Sequence, residues 1–286
     1  MSKTEEQRIR ENIFDSTSGV RRKIAITLAV LILISTVSII YCPTEFRSCV
    51  TDLTQLTAST AAALISVIVV YRQKTDGLIG KAFTFLAAGF VLYLIAEAFR
   101  SYIEIGVGIE NQFLSISYVL WFSGYISFFY FLSKMYQLLW ASHSRRHQIF
   151  VSTACGTFLV SFMVFISNAS DLKAQEGLIP YLVTSAFLVL DITLLVPAAL
   201  ILLNPRKGPL TPIPWIFSAI LLLTVGDSVL AYTSNVTVMY DFVWISNLFF
   251  IVAYLSAAAG LFWHHRFFIL HQRKKTHEIQ AGKSTS

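Results

Sequence analysis

Residues Ala82–Ile103 read AFTFLAAGFVLYLIAEAFRSYI, and no charged side chain interrupts them before Glu97. A helix needs about 20 mostly apolar residues to cross the hydrocarbon core of a bilayer. This stretch is long enough, and it carries Glu97 and Arg100 near its far end. Working outward, seven more such stretches appear: Ile24–Cys42, Leu53–Tyr71, Phe113–Ser133, Gln148–Asn168, Ile179–Leu203, Ile213–Tyr232 and Phe242–Trp263. Asp191 interrupts the sixth span of the chain and Asp227 the seventh. The connections are short, on the order of 10 to 15 residues, as a compact bundle requires. The reading is all-α: a polytopic membrane bundle of eight transmembrane helices.

The composition agrees. Of 286 residues, 55% are hydrophobic and 13% charged, with a mean hydropathy of +0.65. Soluble domains carry roughly a quarter charged residues. Disorder, a collagen-like fibre, a disulfide-stapled miniprotein and a soluble enzyme are excluded on this ground.

Charge sets the expected orientation. The N-terminal tail, the C-terminal tail and the turns near Arg72–Lys81, Lys134–Arg146 and Arg206–Lys207 hold 19 of the 22 basic residues. The opposite set holds only Arg47 and Lys173, with Arg100 just inside a span. By the positive-inside rule both termini are cytoplasmic, in a multi-pass protein of the cell membrane. The net charge of +6 belongs to that asymmetry and to attraction for anionic lipid head groups. Membrane lipids are the expected partners, and nucleic acid is not. Arg21-Arg22-Lys23 precedes a long apolar run, so the first span reads as an anchor and not as a cleavable signal.

Cys42 and Cys49 flank the first external loop, where a disulfide or two free thiols would both be compatible with an oxidising face. Asn168-Ala169-Ser170 and Asn235-Val236-Thr237 fit the glycosylation pattern, and both fall in external loops. The six histidines lie at the cytoplasmic side, where they read as interfacial. No cofactor, metal set or catalytic residue is expected.

The chain also resembles itself. Ala96-Glu97, Tyr102, Ser117 and Gly124-Tyr125 recur as Gly226-Asp227, Tyr232, Ser246 and Ala253-Tyr254. Each acid precedes its first tyrosine by five residues, and its second by 28 in one half and 27 in the other. The simplest account is two parallel four-helix repeats, 24–140 and 141–266, between basic tails 1–23 and 267–286. Copies with an even number of spans share one orientation, related by an axis along the membrane normal. Asp191 breaks the pattern, since Leu64 is its rough counterpart.

A carboxylate within the bilayer costs on the order of 2.5–3.5 kcal/mol, so such residues face the bundle interior. Glu97 and Asp227 lie at about 22 and 21 Å into their spans, at 1.5 Å per residue. Two readings stand. In one, Glu97, Asp227, Asp191, Tyr102, Tyr125, Tyr232, Tyr254 and Arg100 line a polar cavity that binds a small ligand. In the other, the acids lock helices together, Glu97 pairing with Arg100 and Asp227 with Tyr232 or a nearby hydroxyl.

The strings Ala96-Glu97-x4-Tyr102 and Ser115-x-Ser117-Tyr118-x-Leu120-Trp121-x2-Gly124-Tyr125 resemble a polytopic module of archaea and bacteria. That module occurs alone or ahead of signalling domains. The likeness implies a stand-alone sensory or ligand-binding protein that signals to a separate cytoplasmic partner. This chain has Ser117-Tyr118 where that module places an acid. Gly226-Asp227-Ser228 is similar, more faintly, to a motif of lysoplasmalogenase-type membrane proteins, with Glu97 standing where those have Asp. Two alternatives follow: an intramembrane lipid hydrolase, or a small cation- or proton-coupled transporter, each working through Glu97 and Asp227.

Overall fold

The computed structural model describes residues 3–73, 77–107, 116–139, 178–202, 213–235 and 243–266, with scattered positions between 145 and 164. Among the described residues all regular structure is helical. The helices are α1 (Lys3–Tyr41), α2 (Thr44–Gln73), α3 (Gly77–Ser101), α4 (Ile116–Leu139), α5 (Leu178–Leu202), α6 (Ile213–Asn235) and α7 (Val243–His264), with a π-helical turn, Tyr102–Val107, closing α3. Among the described residues, five helical stretches are long and apolar enough to cross a membrane: Gly19–Tyr41, Thr44–Gln73, Gly77–Val107, Ile116–Leu138 and Trp244–His264. Val189–Leu202 and Pro214–Leu230 are shorter apolar stretches within α5 and α6. The chain is a membrane-embedded helical bundle. The expected fifth span, Gln148–Asn168, is described only at scattered positions, which are helical; Cys155, His143 and His147 lie outside the described residues.

Two boundaries differ from the sequence reading. The segment Cys42–Asp52, expected as a loop, is mostly helix: only Cys42 and Pro43 separate α1 from α2. Proline is well placed at a helix start, and Pro43 accepts a hydrogen bond from the Phe46 N–H at 3.0 Å. The helix start differs too: α1 begins at Lys3 and runs unbroken through the basic stretch into the first span. Cys42 and Cys49 are half-buried, unbridged thiols.

Six helices close a ring in chain order. α2 packs on α3, α3 on α4, α4 on α5, α5 on α6, α6 on α7, and α7 returns to α2. α1 lies outside this ring against α7 and α2. Its flanks, including Ile26, Val30, Leu33 and Ile34, are exposed apolar surface of the kind lipid covers. Close packing inside depends on small residues. A Cβ on Gly89 would sit 2.4 Å from the Phe128 ring, and one on Gly124 2.4 Å from the Tyr93 ring.

The ring interior changes character along its length. Towards the end where α3 begins and α7 finishes, it is filled by Phe83, Leu86, Phe128, Phe131, Met135 and Phe217, each almost wholly buried. His264 belongs to this end: it is buried, stacks on Phe83 and meets Gln73 Oε1 at 3.3 Å. It is a packed core histidine, not the interfacial one expected. Towards the opposite end the interior becomes polar.

Candidate functional site

α2 supplies the first surprise. Its inward positions are Asp52, Gln55, Ser59, Ala62, Ser66 and Val69, spaced three and four residues apart. They form one helical face, and most of that face is polar. The outward positions Leu53, Leu64, Val67 and Ile68 are apolar and exposed. The helix is inside-out relative to a soluble one, as lipid demands. Asp52 and Gln55 are each 2% exposed.

Asp52 meets Arg100 of α3 at 3.1 Å. Arg100 also pairs with Glu97 at 3.2 Å, one turn back on its own helix, and with Glu104 at 3.7 Å in the π-helical turn. One guanidinium thus gathers three carboxyls from two helices. Its fork geometry and permanent charge suit that task. Glu97 Oε1 accepts a hydrogen bond from the Tyr254 hydroxyl of α7 at 3.3 Å.

A second cluster lies across the ring. The Tyr125 hydroxyl of α4 meets Asp191 Oδ1 of α5 at 2.5 Å. The same hydroxyl meets Asp227 Oδ2 of α6. A phenol has one proton to donate. It serves one carboxylate, so the other contact requires a proton on a carboxyl. Among the described residues neither aspartate has a Lys or Arg within ion-pair distance. Tyr93 of α3 stands between the clusters, its ring centroid 6.1 Å from that of Tyr125 and 6.5 Å from that of Tyr254.

Several buried polar atoms in this half have no hydrogen-bond partner: Gln55 Oε1, Ser101 Oγ, Ser117 Oγ and Asp191 Oδ2. Leaving such an atom unmet costs about 1–3 kcal/mol, so their grouping marks a region built to meet something polar.

The structure therefore brings together Glu97, Arg100, Tyr254, Asp191, Asp227 and Tyr125. It does not bring Tyr102, which is 67% exposed. The reason is angular: five residues beyond Glu97 is about 140° around an α-helix, away from the face that Glu97 uses. Asp227 bonds Tyr125, and the expected partner Tyr232 has its side chain outside the described set. The sequons at Asn168 and Asn235 also fall outside the described side chains. Leu64 is 58% exposed while Asp191 is buried, so these two do not occupy equivalent faces.

Sequence reading missed Asp52, Gln55 and Tyr93. A search for charge-free windows begins span two at Leu53 and so treats Asp52 as a border. The polar stripe at three- and four-residue spacing was the signal that could have found it. Among the described residues, no three His, Cys, Asp or Glu side chains are arranged to hold a metal ion. No family model, curated protein or solved structure matches the chain.

Proposed function

We propose that this protein is an eight-span, ligand-binding membrane module of the sensory kind, built from two copies of a four-helix unit and signalling to a separate partner. One observation carries the reading. The acid of each half bonds the tyrosine of the other: Glu97 with Tyr254, and Asp227 with Tyr125. Reciprocal contacts of this kind are what a twofold relation generates.

The neighbour relations support the same axis. A half-turn of the six-helix ring exchanges α2 with α5, α3 with α6 and α4 with α7, and every contact in the ring maps onto another. α1 lies in the seam between α7 and α2. By sequence its counterpart in the second repeat is the expected fifth span, Gln148–Asn168.

Binding fits the interior better than chemistry or passage does. The acids are paired with tyrosines and an arginine, with no metal set beside them among the described residues. The aromatic plug from Phe83 to Phe217 closes the other half of the ring, which argues against a through-path in this conformation. Within the Arg100 cluster Glu104 has the most exposed side chain, at 26%, so a ligand would enter from its end.

The test is a thermal-shift screen of the purified chain in lipid nanodiscs against a metabolite library, with Glu97→Gln and Asp227→Asn in parallel. Protection by a soluble compound that is lost in both variants, without loss of folding, supports binding. Release of a product from lipid would move the reading to a hydrolase. Proton-coupled uptake into vesicles would move it to a transporter.

A further inference from the structure

We infer that the site at Asp191 and Asp227 takes a small organic ammonium whose apolar or aromatic tail lies against the aromatic side chains of α4 and α5. The inference rests on the ligand-binding reading above and names the ligand class.

Three features carry it. The first is charge. A buried carboxyl of α5, Asp191, and a half-buried one of α6, Asp227, share one phenol and lack a basic partner among the described residues, whereas the Arg100 cluster has its cation built in. A negative site in a low-dielectric interior must be neutralised by protons or by a cation. The second is an open acceptor. Asp191 is 3% exposed, yet its Oδ2 has no hydrogen-bond partner. An ammonium N–H is a donor of the right sign for that atom.

The third is the wall. Phe187 lies one turn before Asp191 on α5, so the two share a helix face. Four aromatic residues of α4 converge on Phe187: Tyr118 at 5.9 Å, Trp121 at 6.5 Å, Phe122 at 4.4 Å and Tyr125 at 5.8 Å between ring centroids. Tyr125 is the residue that touches both carboxyls. Carboxylates beside aromatic faces are the combination that recognises organic cations, through ion pairing and cation–π attraction. A bare metal ion would want more oxygen ligands than the two aspartates and one phenol supply. An anion would meet two carboxyls and no basic side chain among the described residues.

The experiment uses 2-phenylethylammonium and 2-phenylethanol, which share a skeleton and differ in charge, with sodium ion as a third probe. Binding to the full chain in nanodiscs is measured by equilibrium dialysis and by the shift in unfolding temperature. The expected result is saturable binding of the ammonium alone. Asp191→Asn should weaken it at least about tenfold. Phe187→Leu, which keeps an apolar side chain at that position and loses the ring, should weaken it about threefold. Phe187→Leu also keeps the test decisive if Asp191→Asn does not fold. Equal binding of the alcohol, or ammonium binding unchanged in both variants, overturns the inference. If the ammonium fails but an anionic or neutral metabolite protects in the library screen, the ligand class is wrong and the binding reading stands. If nothing protects, both fall.

Discussion

The two buried carboxyl clusters solve one problem in different ways. Around Arg100, three acids from α2, α3 and the π-helical turn share a cation that the chain supplies. Around Tyr125, two acids from α5 and α6 share a phenol and have no such cation among the described residues. The first cluster carries its own counter-charge and holds helices together, although Asp52 Oδ2 and Arg100 Nε have no hydrogen-bond partner. The second has only the Tyr125 hydroxyl between its two carboxyls, and the proposed ammonium would supply the missing positive charge. Evenly spaced acids in a repeated sequence thus need not do equal work: what decides is whether a base lies within reach.

Substitutions can break or sharpen this contrast. The largest effect is expected at Arg100. Arg100→Ala leaves Asp52 and Glu97 buried without a counter-charge, and breaking a buried pair costs about 3–5 kcal/mol. The Arg100 side chain is 20% exposed, so the loss should fall near the lower end, about 3 kcal/mol, read by denaturant unfolding in detergent. Adding Glu97→Gln to that variant should restore part of the loss. No recovery would mean that Arg100 acts by packing alone.

Next comes Gly124→Ala. Its Cβ would press on the Tyr93 ring at 2.4 Å, and overpacking of this kind costs about 1–3 kcal/mol. Tyr93 stands between the clusters, so this variant should weaken both ligand protection and stability. Gly89→Ala, which meets Phe128 in the apolar half, should lower stability and leave ligand affinity nearly unchanged.

Asp191→Asn should be gentle on stability, within about 1 kcal/mol of the parent and of either sign, because it removes a carboxyl that no base offsets. The same change should weaken ammonium binding at least about tenfold. A stability loss as large as that of Arg100→Ala would show that the two clusters are alike after all. Smallest of all is Tyr102→Ala, expected within about 0.5 kcal/mol because the residue is exposed. Ligand affinity unchanged in that variant would separate Tyr102 from the site.

Much of this was legible in the chain and some was not, for physical reasons. Spans show because lipid excludes charge, so an apolar run of about 20 residues without a charge is seldom anything but a membrane helix. Glu97, Asp191 and Asp227 stood out as exceptions inside such runs. Their partners did not, because contacts such as Tyr125 with Asp227 join residues more than a hundred positions apart. Asp52 was hidden at a span border, where a charge looks ordinary. Tyr102 was drawn in by linear spacing that ignored the helical angle. The short turn at Cys42–Pro43 was overlooked because Arg47, Cys49 and Asp52 read as loop, although α2 carries them into the bundle.

The claim that orders everything else is that each half's acid reaches the other half's tyrosine. Double-mutant cycles on unfolding free energy test it directly. Interhelical hydrogen bonds in membrane proteins average about 0.6 kcal/mol and reach about 1.7. Coupling of that size is predicted between Glu97→Gln and Tyr254→Phe, and between Asp227→Asn and Tyr125→Phe, with none for Glu97 with Tyr125 or Asp227 with Tyr254. Coupling confined to the pairs within each half, Glu97 with Tyr125 and Asp227 with Tyr254, would contradict the account.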